Sequence, residues 1–152
     1  MDKVVKKLIE QASSESRGIT VLNTPEQLRL FYTNHVSKYK TWRAIASIED
    51  WLPVDQNFLQ DFRRQLDDAG VETKVIFKQS GLTHEQDGYK HRQVKTVPDD
   101  YKFKSSIDVL DDKILIMNPH QAVLGLVIES AILVDVFIDM FDILWDQIPT
   151  NN

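Results

Sequence analysis

Apolar positions along the chain follow two spacings, and the switches between them mark the elements. Over residues 3–12, Val4, Val5, Leu8 and Ala12 fall on one stripe, which predicts a short amphipathic helix. Ser13, Ser14, Ser16 and Gly18 break it and form a linker-like stretch. Ile19 to Leu22 reads as a short strand. Thr24-Pro25-Glu26-Gln27 then supplies an N-cap hydroxyl, a proline at the first helical position and a glutamine at the capping-box position. The helix it opens carries Leu28, Phe31, Tyr32 and Val36 on one face. Trp42 to Ile48 is apolar enough for a buried strand. A polar turn, Glu49-Asp50, leads through Trp51, Leu52 and Pro53 to Asp55, the expected N-cap of the next helix. That helix buries Phe58, Phe62, Leu66 and Ala69, and Gly70 ends it in the left-handed conformation. Val71 to Phe77 is again a strand, so 42–77 forms a strand–helix–strand unit with a parallel pair.

The second half is read the same way. Residues 78–90 are polar, contain Gly81 and Gly88, and predict a surface loop. Strands are expected at 92–97, 103–110, 113–117 and 121–128, with a tight turn at Asp111-Asp112. A final helix over 130–147 places Leu133, Val136, Phe137, Met140, Phe141 and Leu144 at core-facing spacing, and Pro149 stops it. The pattern specifies an α/β layer structure around a mixed sheet flanked by helices.

Charge and composition narrow the function classes. Lys plus Arg number 18 against 23 Asp plus Glu, and the basic residues are dispersed, with small groupings at Lys3, Lys6, Lys7 and at Lys38, Lys40, Arg43. Phosphate neutralisation by clustered cations supplies most nucleic-acid affinity, so direct DNA binding by this chain is not expected. The absence of cysteine excludes a disulfide framework, a thiolate zinc site and a cysteine nucleophile. The amino terminus has no apolar signal core, and the apolar region 122–145 is interrupted by Glu129, Ser130, Asp135, Asp139 and Asp142. The expectation is a soluble, cytoplasmic domain without membrane contact.

Candidate chemistry is sparse. Five glycines at 18, 70, 81, 88 and 125 are too far apart to cradle a nucleotide phosphate. His84, Glu85, Asp87 and His91 share one loop but lack the one-turn histidine spacing of a helical metal site, so a solvated loop and no metal are expected. Asp135, Asp139, Asp142 and Asp146 form a helical stripe without a histidine partner and read as a solvated face. No G-x-S-x-G elbow accompanies the serines. Trp42 and Trp145 sit in periodic apolar segments and read as packing. Trp51, at the end of a strand, is open to packing or to a ligand crevice.

The strings RAIASIEDWLPVDQNFLQDFRRQLDDAGVETKVIF, SSIDVLDDKILIM, LGLVIES and FDILWDQI resemble the effector or regulatory domain of TrmB-like transcriptional regulators. The resemblance implies a phospholipase D-like fold over residues 18–148. It also makes residues 1–17 a linking and dimerisation helix and the chain a homodimer. Phospholipase D enzymes carry H-x-K-x-x-x-x-D. With Asp111 at the aspartate position, Ser106 stands where lysine belongs and Lys104 where histidine belongs, so no catalytic residues are expected and the chain reads as a non-enzyme. TrmB-like regulators also carry a winged helix-turn-helix head, and 17 residues are too few for one. The chain is therefore expected to be a stand-alone relative or an excised fragment, with a winged-helix regulator as a partner.

These readings converge on a ligand-sensing or interaction module without a cofactor. Alternate residues on a strand share a face, so Lys104, Ser106 and Asp108 are expected to project together and, with Trp51, to bind a small polar or anionic ligand. The rival reading is an atypical phosphodiesterase that depends on Asp111 or His120.

Overall fold

The computed structural model describes residues 2–7, 18–120 and 125–150. In chain order the elements are β1 (Ile19–Leu22), α1 (Pro25–His35), β2 (Thr41–Ile45), α2 (Ile48–Asp68) and β3 (Glu72–Lys78), followed by a 3-10 turn (Gln79–His84). β4 (Arg92–Val97), β5 (Ser106–Val109), β6 (Ile114–Met117), β7 (Gly125–Ile128) and α3 (Ala131–Gln147) complete them. Among the described residues the strands form one mixed sheet in the order β1-β7-β6-β5-β2-β3-β4. β2, β3 and β4 run parallel, and every other neighbouring pair is antiparallel. The parallel pair expected within 42–77 is present, with Arg43 opposite Lys74 and Ile45 opposite Ile76.

Local signals account for most boundaries. Thr24 Oγ1 accepts from Gln27 N at 3.2 Å, and Gln27 Oε1 returns to the N–H of Asn23, one residue before the cap. Gly70 adopts φ +73° at the end of α2, where Val71 N reaches back to Leu66 O at 3.0 Å. The turn after β5 closes through Leu110 N to Lys113 O at 2.8 Å. Ser130 caps α3 through Leu133 N.

The structure departs from the sequence pattern in three places. β2 ends at Ile45 because Ser47 already caps α2, so Trp51 lies on a helix rather than in a strand-end loop. Asp55 does cap the longer, second part of α2: its φ of −165° interrupts the helix just after Pro53, and its Oδ1 accepts from Phe58 N at 3.1 Å. β5 starts at Ser106, which leaves Lys104 in the preceding loop, exposed. Residues 3–7 are helical as expected. The rest of the predicted 3–12 helix, the Ser13–Ser16 stretch and positions 121–124 of the predicted last strand lie outside the described residues.

The third departure is the rotation of α3. Of the residues at core-facing spacing, Phe141 is buried together with Val134 and Trp145, while Leu133, Val136, Met140 and Leu144 are exposed. Polar contacts set this rotation. Asp142 Oδ1 receives Arg43 Nε of β2 at 3.2 Å, and Lys95 Nζ of β4 donates to Trp145 O at 2.6 Å while lying 4.7 Å over the indole ring.

Three layers result. α3 covers one sheet face through Phe141 and Trp145 against Ile76, with Ile45 and Val97 beside them. α1 and α2 cover the other, where Leu28, Phe31 and Tyr32 meet Trp42, Leu66 and Leu115 in the main core. Among the described residues no helix is long and apolar enough to cross a membrane.

Candidate functional site

The sheet face under α1 and α2 is incompletely filled, leaving a cavity of about 100 Å³ that opens to solvent. Its aromatic wall is built from three elements. Tyr32 of α1 stacks on Trp42 of β2 at 5.8 Å between centroids, and Phe62 of α2 meets both rings edge-on at 4.5 and 5.2 Å. Phe58 continues the wall, and Ala44 and Val75 contribute small side chains from the sheet.

Asp108 is the buried acid of this cavity. It lies on β5 opposite Ala44, is 4% exposed, and its Oδ2 accepts from Tyr32 Oη at 3.0 Å and Trp42 Nε1 at 3.1 Å. Burial pushes its carboxyl up to about 7, although the two hydrogen bonds pull the other way. Burial, with Asp108 beside it, also raises the Tyr32 phenol well above its ordinary value.

Two arginines approach from the α2 and β4 side. Arg63, 7% exposed, donates to His84 O at 3.1 Å and lies 3.9 Å from Glu85 Oε2. Arg92 engages both oxygens of Glu85, with Nη2 to Oε2 at 3.1 Å. Two guanidinium groups thus share one carboxylate at the cavity wall, and Arg63 is pulled below its ordinary value first by burial and then by Arg92. Elsewhere on the wall, Arg29 and Asp55 pair at 2.7 Å and neutralise each other.

A polar relay leads away from the cavity at the end of the sheet where β2 stops and β5 begins. Trp51 Nε1 donates to Ser106 Oγ at 2.8 Å, and Ser47 N donates to the same oxygen at 3.3 Å. Ser47 Oγ in turn donates to Asp50, whose other oxygen accepts from His120 Nε2 at 2.6 Å. Burial opposes ionisation of Asp50, but Ser47, His120 and the nearby Lys104 charge outweigh it and hold the carboxyl below its ordinary range. A carboxylate on Nε2 orients the His120 ring and leaves Nδ1 as the nitrogen that can accept a proton.

The four sequence-derived site residues therefore separate. Ser106, Asp108 and Trp51 all line the cavity, while Lys104 sits before β5 and acts on Asp50 instead. The expected Lys104–Ser106–Asp108 face is reduced to its last two members. Trp51 is both packed, at 7% exposed, and part of the cavity wall. Sequence reasoning missed the Asp50–His120 pair, 70 residues apart, and the Arg63–Glu85–Arg92 cluster. An aspartate inside the apolar run IDVL was the available signal for a buried acid. In the 84–91 loop Glu85 is drawn inward by the two arginines and His91 pairs with Glu72 at 3.1 Å. Among the described residues no three potential metal ligands converge.

No protein-family model matches the sequence, and no curated protein matches it. Solved structures do share the fold. TrmBL2, an archaeal chromatin protein with a novel mode of DNA binding, superposes with a TM-score of 0.63 at 13% identity over 98% of this chain, which spans 63% of TrmBL2. Nuc, a phospholipase D family member from Salmonella typhimurium, gives 0.57 at 15% identity, and NucT from Helicobacter pylori gives 0.59 at 11%. Each of these two matches covers 88% of this chain and 97% of the other. The phospholipase D-like architecture, a mixed sheet flanked by helices, is thereby established. The expectation of a non-enzyme is corrected: the fold is shared with Nuc, a phospholipase D family member, and with NucT, so a missing H-x-K-x-x-x-x-D pattern does not make this chain a non-enzyme.

Proposed function

We infer that the chain is a ligand-sensing regulatory module whose ligand is a small aromatic or apolar molecule bearing one anionic group. The observation that carries this reading is the cavity itself. Tyr32, Trp42, Phe58 and Phe62 offer a π-rich wall, and Arg63 and Arg92 share a single Glu85, leaving one positive charge for a ligand anion. The fold likeness to TrmBL2 supports a regulatory setting.

Paired probes test it. Titrating phenylacetate and its neutral analogue phenylacetamide against intrinsic tryptophan fluorescence should show saturable binding, at least about 10-fold tighter for the acid. Arg63→Met should erase that preference. Equal affinities would remove the anion requirement, and no saturation by either probe would remove the cavity as the site.

A second reading, phosphodiester hydrolysis, is supported by the Asp50–His120 pair beside Lys104 and by the shared phospholipase D-like architecture. Asp50 would orient the imidazole, His120 Nδ1 would take the proton of a water whose oxygen attacks phosphorus as the P–O bond to the leaving alkoxide or phenolate breaks, and Lys104 would face the phosphate charge. The measurement is turnover of bis(4-nitrophenyl) phosphate. Activity lost in His120→Ala and Asp50→Asn supports it, and activity equal in both variants and the parent removes this pair from the chemistry.

A further inference from the structure

α3 carries more apolar surface than the sheet can cover. At about 100° per residue, its apolar positions from Ile132 round to Ile138 span an arc of about 240°, and Asp135, Asp139, Asp142 and Asp146 fill most of the remainder. A helix that packs on one core needs a stripe of roughly 100°. Phe141, Trp145 and Val134, flanked by the half-buried Phe137 and Ile138, use that much. The rest of the arc faces solvent: Ile132 is 80% exposed, Ile143 66%, Met140 57%, Val136 49%, Leu133 45% and Leu144 40%.

We propose that this face of α3 is the interface with a second copy of the chain. Two observations favour that occupant. Leu133, Val136, Met140 and Ile143 alternate steps of three and four, the spacing with which paired helices interlock. From the exposures and ordinary residue areas, the six side chains present on the order of 650 Å² per copy. Two copies would bury on the order of 1,300 Å², within the roughly 1,200–2,000 Å² of stable interfaces. The aspartates lie beside the apolar face and not within it, so no charge is forced into the seam. A two-fold axis along the helices places the two acidic stripes on opposite sides of that seam.

The test uses the full chain, which contains no cysteine. Light scattering coupled to gel filtration should give twice the 17.6 kDa chain mass for the parent and the single-chain mass for Ile143→Glu. A single-cysteine variant, Met140→Cys, preserves the apolar surface and should form a covalent dimer with a short bismaleimide, whereas Lys102→Cys, in an exposed loop, should not. A monomeric parent, a dimer indifferent to Ile143→Glu, or cross-linking at Lys102→Cys in place of Met140→Cys would each overturn the assignment.

Discussion

Replacing Asp108 by asparagine removes a titratable proton from the core while keeping the acceptor oxygen used by Tyr32 and Trp42. In the folded chain burial raises the Asp108 carboxyl from 3.8 to about 7. Between those values the native state holds a proton that the unfolded chain has released, so stability falls as pH rises through this window. The stabilisation from the protonated acid is complete below about pH 4 and lost once pH exceeds about 7. A displacement of about three pH units corresponds to about 4 kcal/mol, with a slope near 1.4 kcal/mol per pH unit. Urea unfolding followed by tryptophan fluorescence, on the parent and on Asp108→Asn from pH 4 to 9, isolates this group because every other titration is common to both proteins. The parent should lose about 4 kcal/mol relative to Asp108→Asn across the range, and the difference should level off above pH 7. A difference that stays flat within about 0.5 kcal/mol would show that Asp108 ionises without penalty, and burial would then not govern its titration.

Three further perturbations probe the frame around the site. Gly70→Ala places a side chain at φ +73° and should cost about 1 kcal/mol by urea unfolding, with no change in probe affinity. Asp55→Ala removes the cap of the second part of α2 and the partner of Arg29, and should cost about 1 kcal/mol with loss of helical signal in circular dichroism. Ser106→Ala leaves Trp51 Nε1 and Ser47 N without their buried acceptor; a cost of about 1–3 kcal/mol and a shifted Trp51 emission are expected.

Legibility in the sequence followed the range of the interactions. The α1 cap at Thr24, the Asp55 cap, the Gly70 stop and the Asp111-Asp112 turn were readable because each involves groups a few residues apart. Ser106 and Asp108 share a sheet face, as strand alternation expects, and line one cavity with Trp51, which reaches it from the first turn of α2 and not from a strand end. Lys104 stands apart from them, because the strand begins three residues later than its pattern suggests and alternation has no force in a loop. The Asp50–His120 contact and the Arg63–Glu85–Arg92 cluster had no local signature, since they join α2 to the segments after β6 and around β4.

α3 separates the two sources of information most clearly. Its periodicity alone specified a helix ended by Pro149, with four aspartates on one side, because helix formation and capping depend on neighbours along the chain. Which part of its wide apolar arc met the sheet was decided only in three dimensions, where Arg43 fixed Asp142 and Lys95 fixed Trp145. The same division runs through the whole protein. Element types and order were written in short-range patterns of polarity, whereas the cavity, its buried acid and the exposed apolar seam arose from surfaces that the chain brings together only when the sheet assembles.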